Sequence, residues 1–210
     1  MGIAERKERE KEQRRNDIID AAEKVFFTKG FESSTMDDVA EKAELSKGTL
    51  YLYFSSKEDL HYAIVLRGME KIYDLIIKDY DESLCGADNL LEMAKAYVRF
   101  SNEYTYYFNA IMRFGAGKID KIDDEKKQRI LGESSPLIFL INVIEKGQKD
   151  GSIRNDIDAP ELAVILWSQM SGVLEFIVLR DKIIDLLSLN RDEMIMNHFK
   201  IVLEGLRNKK

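Results

Sequence analysis

The stretch that decides the fold is FFTKGFESSTMDDVAEKAELSKGTLYLYFSSKEDL, residues 26–60. Gly30 ends the helix with which this stretch begins. Three hydroxyl residues stand where further helices would begin: Thr35, Ser46 and Ser56. Apolar spacing between these signals predicts two short helices, 36–43 and 47–54, joined by the turn Glu44-Leu45-Ser46. Two helices of about two turns with so short a connection have the spacing of a helix-turn-helix.

The side chains of this stretch fit that geometry. Ala40 is small where the two helices must approach, and Leu45 can fill the space beneath their crossing. Leu50 and Phe54 lie one helical turn apart and share the inner face of the second helix. The remaining positions point outward or sideways: Lys47, Gly48, Thr49, Tyr51 and Tyr53.

The rest of the chain also has helical periodicity. The 210 residues include only two prolines, and the sequence has neither a long period-two alternation nor a hairpin dipeptide between apolar runs. The single cysteine excludes a disulfide framework within one chain and a zinc site built on cysteines. We therefore expect an all-α protein of about nine helices, one of which starts at an Asp88 cap, and no metal or cofactor.

Charge does not identify a partner. The net charge of -6 lowers the expectation of nucleic acid. Residues 1–15 carry six basic and four acidic side chains, a net of +2, while residues 16–60 carry five and ten, a net of -5. Any case for DNA therefore rests on particular residues. The charged start is unlike an export signal, and no window reaches about 18 apolar residues, so we expect a cytoplasmic protein that does not bind or span a membrane.

The chain resembles the TetR (tetracycline-repressor) family of bacterial regulators. About residues 12–72 resemble its DNA-binding domain, and about twenty spaced positions agree. The matching residues are Ile18-Ile19-Asp20-Ala21-Ala22, Phe26, Gly30-Phe31, Thr35-Met36, Val39-Ala40, Ala43, Ser46-Lys47-Gly48-Thr49-Leu50-Tyr51, Tyr53-Phe54, Lys57 and Leu60. A looser resemblance to the dimer helix of the family covers Gly151-Ser152-Ile153 and the helix Asp158–Val178.

This resemblance implies a division of labour. Residues 12–72 would form a three-helix DNA-binding domain, with the helix-turn-helix at about 35–54, and residues 73–210 a helical ligand-binding and dimerisation domain. The partners would be double-stranded DNA with a pseudo-palindromic operator, a small-molecule effector and a second copy of the chain. Ligand binding would release a repressor from its operator. A dimer is also expected because one short helix makes too few contacts for useful specificity.

The predicted DNA contacts lie on the motif and beside it. Three residues are candidates for contacts with bases, sugars or a phosphate: Lys47, Thr49 and Tyr51. Five more would position phosphates or shape the helix start: Thr35, Ser46, Gly48, Tyr53 and Lys57. Arg14 and Arg15 could add a phosphate or minor-groove contact, or could simply be a solvated helix end. Tyr51 and Tyr53 could also be ordinary packing aromatics.

The C-terminal two thirds supply candidates for a pocket and an interface. Aromatic and thioether side chains suit an apolar ligand pocket, although they also suit a helical core: Tyr104, Tyr107, Phe108, Met112, Trp167 and Met170. We expect an apolar or aromatic ligand, which could also carry one charge. Two helices, Glu161–Leu179 and Arg191–Leu206, have wide apolar faces and are the dimer candidates through Leu162, Leu166, Gln169, Gly172, Val173, Phe176, Phe199 and Val202.

Two other classes of function remain as alternatives. An enzyme is not expected and no catalytic residue is assigned, because the two histidines, His61 and His198, stand without a metal-ligand cluster, a nucleophile elbow or a phosphate-binding glycine loop. A helical protein-interaction module without sequence-specific DNA binding would explain the C-terminal two thirds. It would not explain the residues of the second short helix.

Overall fold

A computed structural model describes residues 2–114, 128–132, 134–179 and 181–207. Ten helices have both ends within these residues, residues 128–130 are helical as well, and no described residue forms a strand, which confirms the all-α prediction and gives more than the nine or so helices expected. The helices are α1 (Ile3–Lys29), α2 (Met36–Lys42), α3 (Lys47–Tyr51), α4 (Lys57–Asp79), α5 (Gly86–Glu103), α6 (Thr105–Phe114), α7 (Pro136–Asp150), α8 (Ala159–Leu179), α9 (Asp181–Leu186) and α10 (Arg191–Leu206).

The first three helices and the start of α4 pack around one apolar core. Ile18 and Ala22 of α1, Val39 of α2 and Leu50 of α3 are fully buried in it. Burying an aliphatic side chain of this size contributes about 1.5–3 kcal/mol, so these few residues hold the short helices in place. Gly30 ends α1 at a φ of 84°, the positive value for which a glycine was expected.

The two short helices end earlier than the sequence predicts. Helix α2 ends at Lys42 rather than residue 43, and α3 ends at Tyr51 rather than residue 54. The amides of Tyr53 and Phe54 both donate to the carbonyl oxygen of Leu50, at 3.0 and 3.1 Å. This tight turn replaces the last helical turn and still directs Phe54 into the core.

Helix α4 is shared by two cores. Its first half carries Leu60 and Ile64 into the core just described, and its second half carries Ile72 and Ile76 into a second one. The second core is completed by α5, α6, α7, α8 and α10. The predicted domain boundary at residue 72 thus lies inside a continuous helix, so the boundary remains a prediction about function.

The N-cap of helix α5 lies three residues before the cap that the sequence suggested. Its N-cap is Cys85, not Asp88, and no side chain of its own caps it. Two residues from the end of α7 serve instead: the carboxylate of Asp150 accepts from the Gly86 amide at 2.8 Å, and the Ser152 hydroxyl accepts from the Ala87 amide at 3.1 Å. The cap comes from far along the chain, which local sequence signals cannot reveal.

Helix α8 is strongly apolar and yet poorly buried. Its residues Ala159–Val178 are long and apolar enough to cross a membrane by length and composition alone, which is weak evidence in a single helix. Ser168, Gln169 and Glu175 interrupt the apolar run. Only 28% of the stretch is buried within the chain, so much of its apolar surface has no partner in one copy.

Candidate nucleic-acid interface and apolar cavity

Helix α2 begins with a capping box, as predicted. The Thr35 hydroxyl accepts from the Asp38 amide at 3.1 Å, and the Asp38 carboxylate accepts from the Thr35 amide at 2.7 Å. Lys29 donates to the same carboxylate at 2.8 Å. The ion pair with Lys29 and the hydrogen bonds from Thr35 lower the pKa of Asp38 to about 2. The Asp38 carboxylate therefore stays ionised near neutral pH. Thr35, the N-cap residue of this box, is exposed to solvent.

The turn between α2 and α3 follows the predicted plan. Glu44 takes a positive φ of 56°, and the Leu45 amide donates to the Ala40 carbonyl at 2.9 Å, which closes the end of α2. Leu45 packs against the core and Ala40 is buried, as the helix crossing requires. Ser46 then caps α3 by accepting from the Thr49 amide at 3.1 Å. The turn therefore fixes where the outer face of α3 points.

The outer face of α3 is open to solvent. Lys47, Gly48 and Tyr51 are exposed, and Thr49 is half-buried because its hydroxyl bonds that of Ser46 at 2.8 Å. A Cβ atom on Gly48 would meet only the Ser46 hydroxyl, at 3.9 Å, so the backbone is accessible there. The structure thus brings these predicted DNA-binding residues together on one surface.

Lys47 is held by an acidic neighbour from α2. Its ammonium lies 2.8 Å from the Asp37 carboxylate, and both side chains are exposed. The hydrogen bond that the ammonium donates to this carboxylate raises the pKa of Lys47. A DNA phosphate at this position would compete with Asp37 for the same cation.

Tyr53 and Lys57 also contribute to packing. Tyr53 is half-buried against the core. The ammonium of Lys57 donates to the carbonyls of Phe31 at 2.8 Å and Ser34 at 3.0 Å, and lies 4.4 Å from the centre of the Phe31 ring. This cation therefore ties the loop after α1 to the start of α4, in addition to any contact with a phosphate.

The structure adds one residue that sequence reasoning missed. Leu52 follows the last residue of α3 and is 83% exposed. It lies one helical turn after Gly48, so the two share a face. That spacing was readable in the sequence, but Leu52 was assigned to neither face of the helix. Arg15 of α1 lies near Phe54, with its guanidinium 5.0 Å from the centre of that ring.

A cavity of about 320 Å³ lies within the second core. Its volume falls within the usual range of small-molecule sites. Trp167 and Met170 line it, as predicted, together with Met69, Ile72, Ile76, Leu90, Met93, Ala94, Tyr97, Ile111, Phe114, Ile130, Leu131, Ser135, Pro136, Leu137, Leu140 and Leu166.

The other four residues predicted for the pocket do not line this cavity. Phe108 is buried in the core, where it packs against the Tyr97 ring. Tyr107 faces α1 and donates to the Glu23 carboxylate at 2.7 Å, while Tyr104 lies near the ammonium of Lys71. Met112 packs at the margin of the second core. The dense aromatic run therefore joins helices, because successive positions on a helix point in different directions.

Two of the predicted interface residues are corrected by the structure. Leu162 is 3% exposed and Phe199 is 7% exposed, so the chain's own core already covers them. Leu166, Val173 and Val202 are half-buried, and Gln169, Gly172 and Phe176 are exposed. Further exposed apolar side chains extend the surface beyond the predicted set: Val164, Ile165 and Val178 of α8, Ile183 and Leu186 of α9, and Met196 and Ile201 of α10.

Comparisons with known proteins agree with this geometry. The family model for bacterial regulatory proteins of the tetR family matches residues 18–64. The HTH-type transcriptional repressor KstR2 of Rhodococcus jostii is 30% identical over 208 residues, which cover 93% of this chain and 92% of that protein. The HTH-type transcriptional regulator TtgR of Pseudomonas putida is 27% identical over 197 residues, covering 88% and 90%.

A solved structure extends the match to the whole fold. The crystal structure of a TetR family transcription regulator from Marinobacter aquaeolei is 18% identical and superposes with a TM-score of 0.69, over 96% of this chain and all (100%) of that one. The long relatives span both the helix-turn-helix and the C-terminal helices. With this combination of motif, fold and full-length similarity, the chain belongs to the TetR family of HTH-type bacterial transcriptional regulators.

Proposed function

We propose that the protein is a cytoplasmic homodimeric repressor that reads a pseudo-palindromic operator and leaves it when an apolar effector fills the cavity. Each copy would place α3 in the major groove of one half-site, since two half-sites give the specificity that one short helix lacks. Residues 12–72 would carry the DNA contacts, and residues 73–210 the effector and the partner copy.

The observation that carries the proposal is the outer face of α3. Its cap, its turn and its inner residues are all fixed by the fold, while Lys47, Gly48, Tyr51 and Leu52 are left in solvent. Groups held rigidly and exposed together are suited to reading the edges of base pairs. A protein-interaction module offers no comparable reason for this arrangement.

The cavity supports an apolar effector. Its described lining is aliphatic, aromatic or thioether apart from a few hydroxyl and indole groups. Helix α6 contributes Ile111 and Phe114 to the cavity, and its Tyr107 bonds Glu23 of α1. A ligand that displaces α6 would therefore act directly on the DNA-binding domain, which offers a route from effector to operator.

The test is specific binding to DNA. The duplex upstream of the protein's own gene, and palindromes nearby, serve as probes in a fluorescence-anisotropy titration with non-specific competitor present. We expect a specific complex, and loss of at least about tenfold in affinity for Tyr51→Ala, because buried base contacts are each worth about 1–3 kcal/mol. The variant should remain folded and dimeric, since Tyr51 is 45% exposed.

A matched control is Ile77→Ala, which truncates another exposed side chain, in the second half of α4. Its operator affinity should stay within about twofold of the wild type. Unchanged affinity in Tyr51→Ala would remove that residue from the interface. If no palindrome in the genomic neighbourhood gives a specific complex, the interaction-module alternative would gain over the DNA-binding proposal.

A further inference from the structure

One polar trio interrupts the apolar wall of the cavity. The Trp167 indole N–H donates to the Tyr97 hydroxyl at 3.3 Å, and that hydroxyl lies 2.9 Å from the hydroxyl of Ser171. Tyr97 and Trp167 both line the cavity, so the hydrogen-bonded hydroxyl lies between two of its wall residues. Tyr97 is 8% exposed, and this burial raises the pKa of its hydroxyl.

The trio retains hydrogen-bonding capacity for a third partner. A hydroxyl group can both donate and accept, and the indole of Trp167 can only donate. Whichever of the two hydroxyls donates to the other, the oxygen of Tyr97 keeps a remaining lone pair or its own proton. It can therefore meet either a hydroxyl or a carbonyl oxygen of a ligand.

A charged ligand head group would find no counter-charge in the part of this wall that the structure describes. None of the described lining residues is Lys, Arg, His, Asp or Glu. An ionised carboxylate moved from water into such a site loses its hydration without gaining a cation, and this costs far more than one hydrogen bond returns. A neutral oxygen loses much less and recovers it from Tyr97.

We propose that the cavity selects a neutral apolar molecule with one hydroxyl or carbonyl oxygen, and that Tyr97 determines this selectivity. This inference rests on the proposed function only in assuming that the cavity holds a ligand. It adds the chemistry of the ligand's polar end and names the residue that recognises it.

The experiment compares octan-1-ol, methyl octanoate and octanoate at pH 8. Trp167 is the only tryptophan in the chain and lines the cavity, so its fluorescence reports binding, and these aliphatic probes do not absorb its light. Calorimetry provides a second readout. We expect the alcohol and the ester to bind at least about tenfold more tightly than the carboxylate, a factor that corresponds to about 1.4 kcal/mol.

Tyr97→Phe keeps the ring and removes the hydroxyl. It should weaken octan-1-ol and methyl octanoate by about fivefold or more, the value of one net hydrogen bond, and change octanoate little. Lowering the pH from 8 to 5 should strengthen octanoate in both proteins, because more of it becomes the neutral acid. Tyr104→Phe is the matched control, since Tyr104 does not line the cavity, and it should leave all three affinities unchanged.

Two results would overturn the inference in different ways. If octanoate binds as well as the alcohol, or Tyr97→Phe binds all three probes like the wild type, the selectivity is wrong while an effector cavity still stands. If none of the probes binds by either readout, the cavity is not a site for such molecules, and the ligand half of the proposed function fails with it. Operator affinity, measured separately without probe, reports on the DNA half alone.

Discussion

At the scale of single residues, we expect the pair Lys47–Asp37 to control how strongly α3 attracts DNA. The pair joins α3 to α2 through exposed side chains. Exposed pairs contribute little to stability, usually below about 1 kcal/mol. The main effect of Asp37 is therefore on DNA binding by Lys47, because the ammonium must break its ion pair with Asp37 before it can bind a phosphate.

Asp37→Asn should accordingly raise DNA affinity. Freeing Lys47 from a surface pair gains at most about fivefold, and the gain should shrink as salt is added, because salt weakens both the pair and the phosphate contact. Anisotropy titrations on operator and on random duplex at several salt concentrations measure it. The random duplex should gain too, since a phosphate contact carries no sequence information.

Glu41→Gln provides the matched comparison for that variant. It removes one negative charge from the same exposed face of α2, one turn further on, but the described ion pair of Lys47 is with Asp37 and not with Glu41. An equal gain in both variants would mean that net charge, and not release of Lys47, controls the affinity.

At the scale of elements, α5 and α7 approach so closely that the contact leaves no room for a side chain on Gly86. A Cβ atom on Gly86 would lie 2.2 Å from the Cα atom of Gly147, and one on Gly147 would lie 2.4 Å from the side chain of Ile153. Two glycines thus let the backbones touch. The same approach brings Asp150 and Ser152 within reach of the first amides of α5.

Gly86→Ala should destabilise the fold by about 1–3 kcal/mol, because backbone atoms rather than a flexible side chain must give way. Urea denaturation, followed by circular dichroism, measures the loss in the free energy of unfolding. Gly205→Ala in α10 is the control: nothing lies within 4 Å of its added Cβ, so it should be neutral or stabilising. Equal effects of the two substitutions would contradict the packing argument.

Local sequence signals predicted helix boundaries best where the residues that form them are close together in the sequence. The caps at Thr35, Ser46 and Ser56 all form as the sequence indicated, because each is closed within four residues. The predicted start of α5 was wrong because the first amide of the helix is capped by Asp150, 64 residues away. The cavity was only partly found, since Tyr97 was hidden in an ordinary amphipathic pattern and the conspicuous aromatic run after it packs between helices.

At the scale of the whole molecule, an exposed apolar surface on α8, α9 and α10 marks the proposed partner face. Ile201 is 71% exposed and Leu186 is 82% exposed, while Phe176 lies on the same apolar helix that one chain leaves mostly uncovered. Soluble single chains rarely leave contiguous apolar surface of this kind open. A second copy presenting the same face would cover it with two-fold symmetry.

Phe176→Asp and Ile201→Asp, made separately, should each convert a dimer into a monomer. Both side chains are exposed in one chain, so a buried charge would arise only in the dimer. Analytical ultracentrifugation at micromolar concentration measures the change, and operator affinity should fall with it. Ile77→Asp, an exposed isoleucine on α4, should remain dimeric. A wild-type monomer at that concentration would rule out the interface.

The largely uncovered face of α8 also affects how fast the protein is degraded in the cell. If a second copy covers this face, as we propose, a newly synthesised chain exposes its apolar surface to water until the two copies pair, and during that interval it is a target for aggregation and for proteases. Pairing removes the hazard, and its rate rises with the number of chains present. Turnover should therefore be fast when synthesis is slow and should slow as chains accumulate, so that the abundance of the regulator responds more than proportionally to its rate of synthesis.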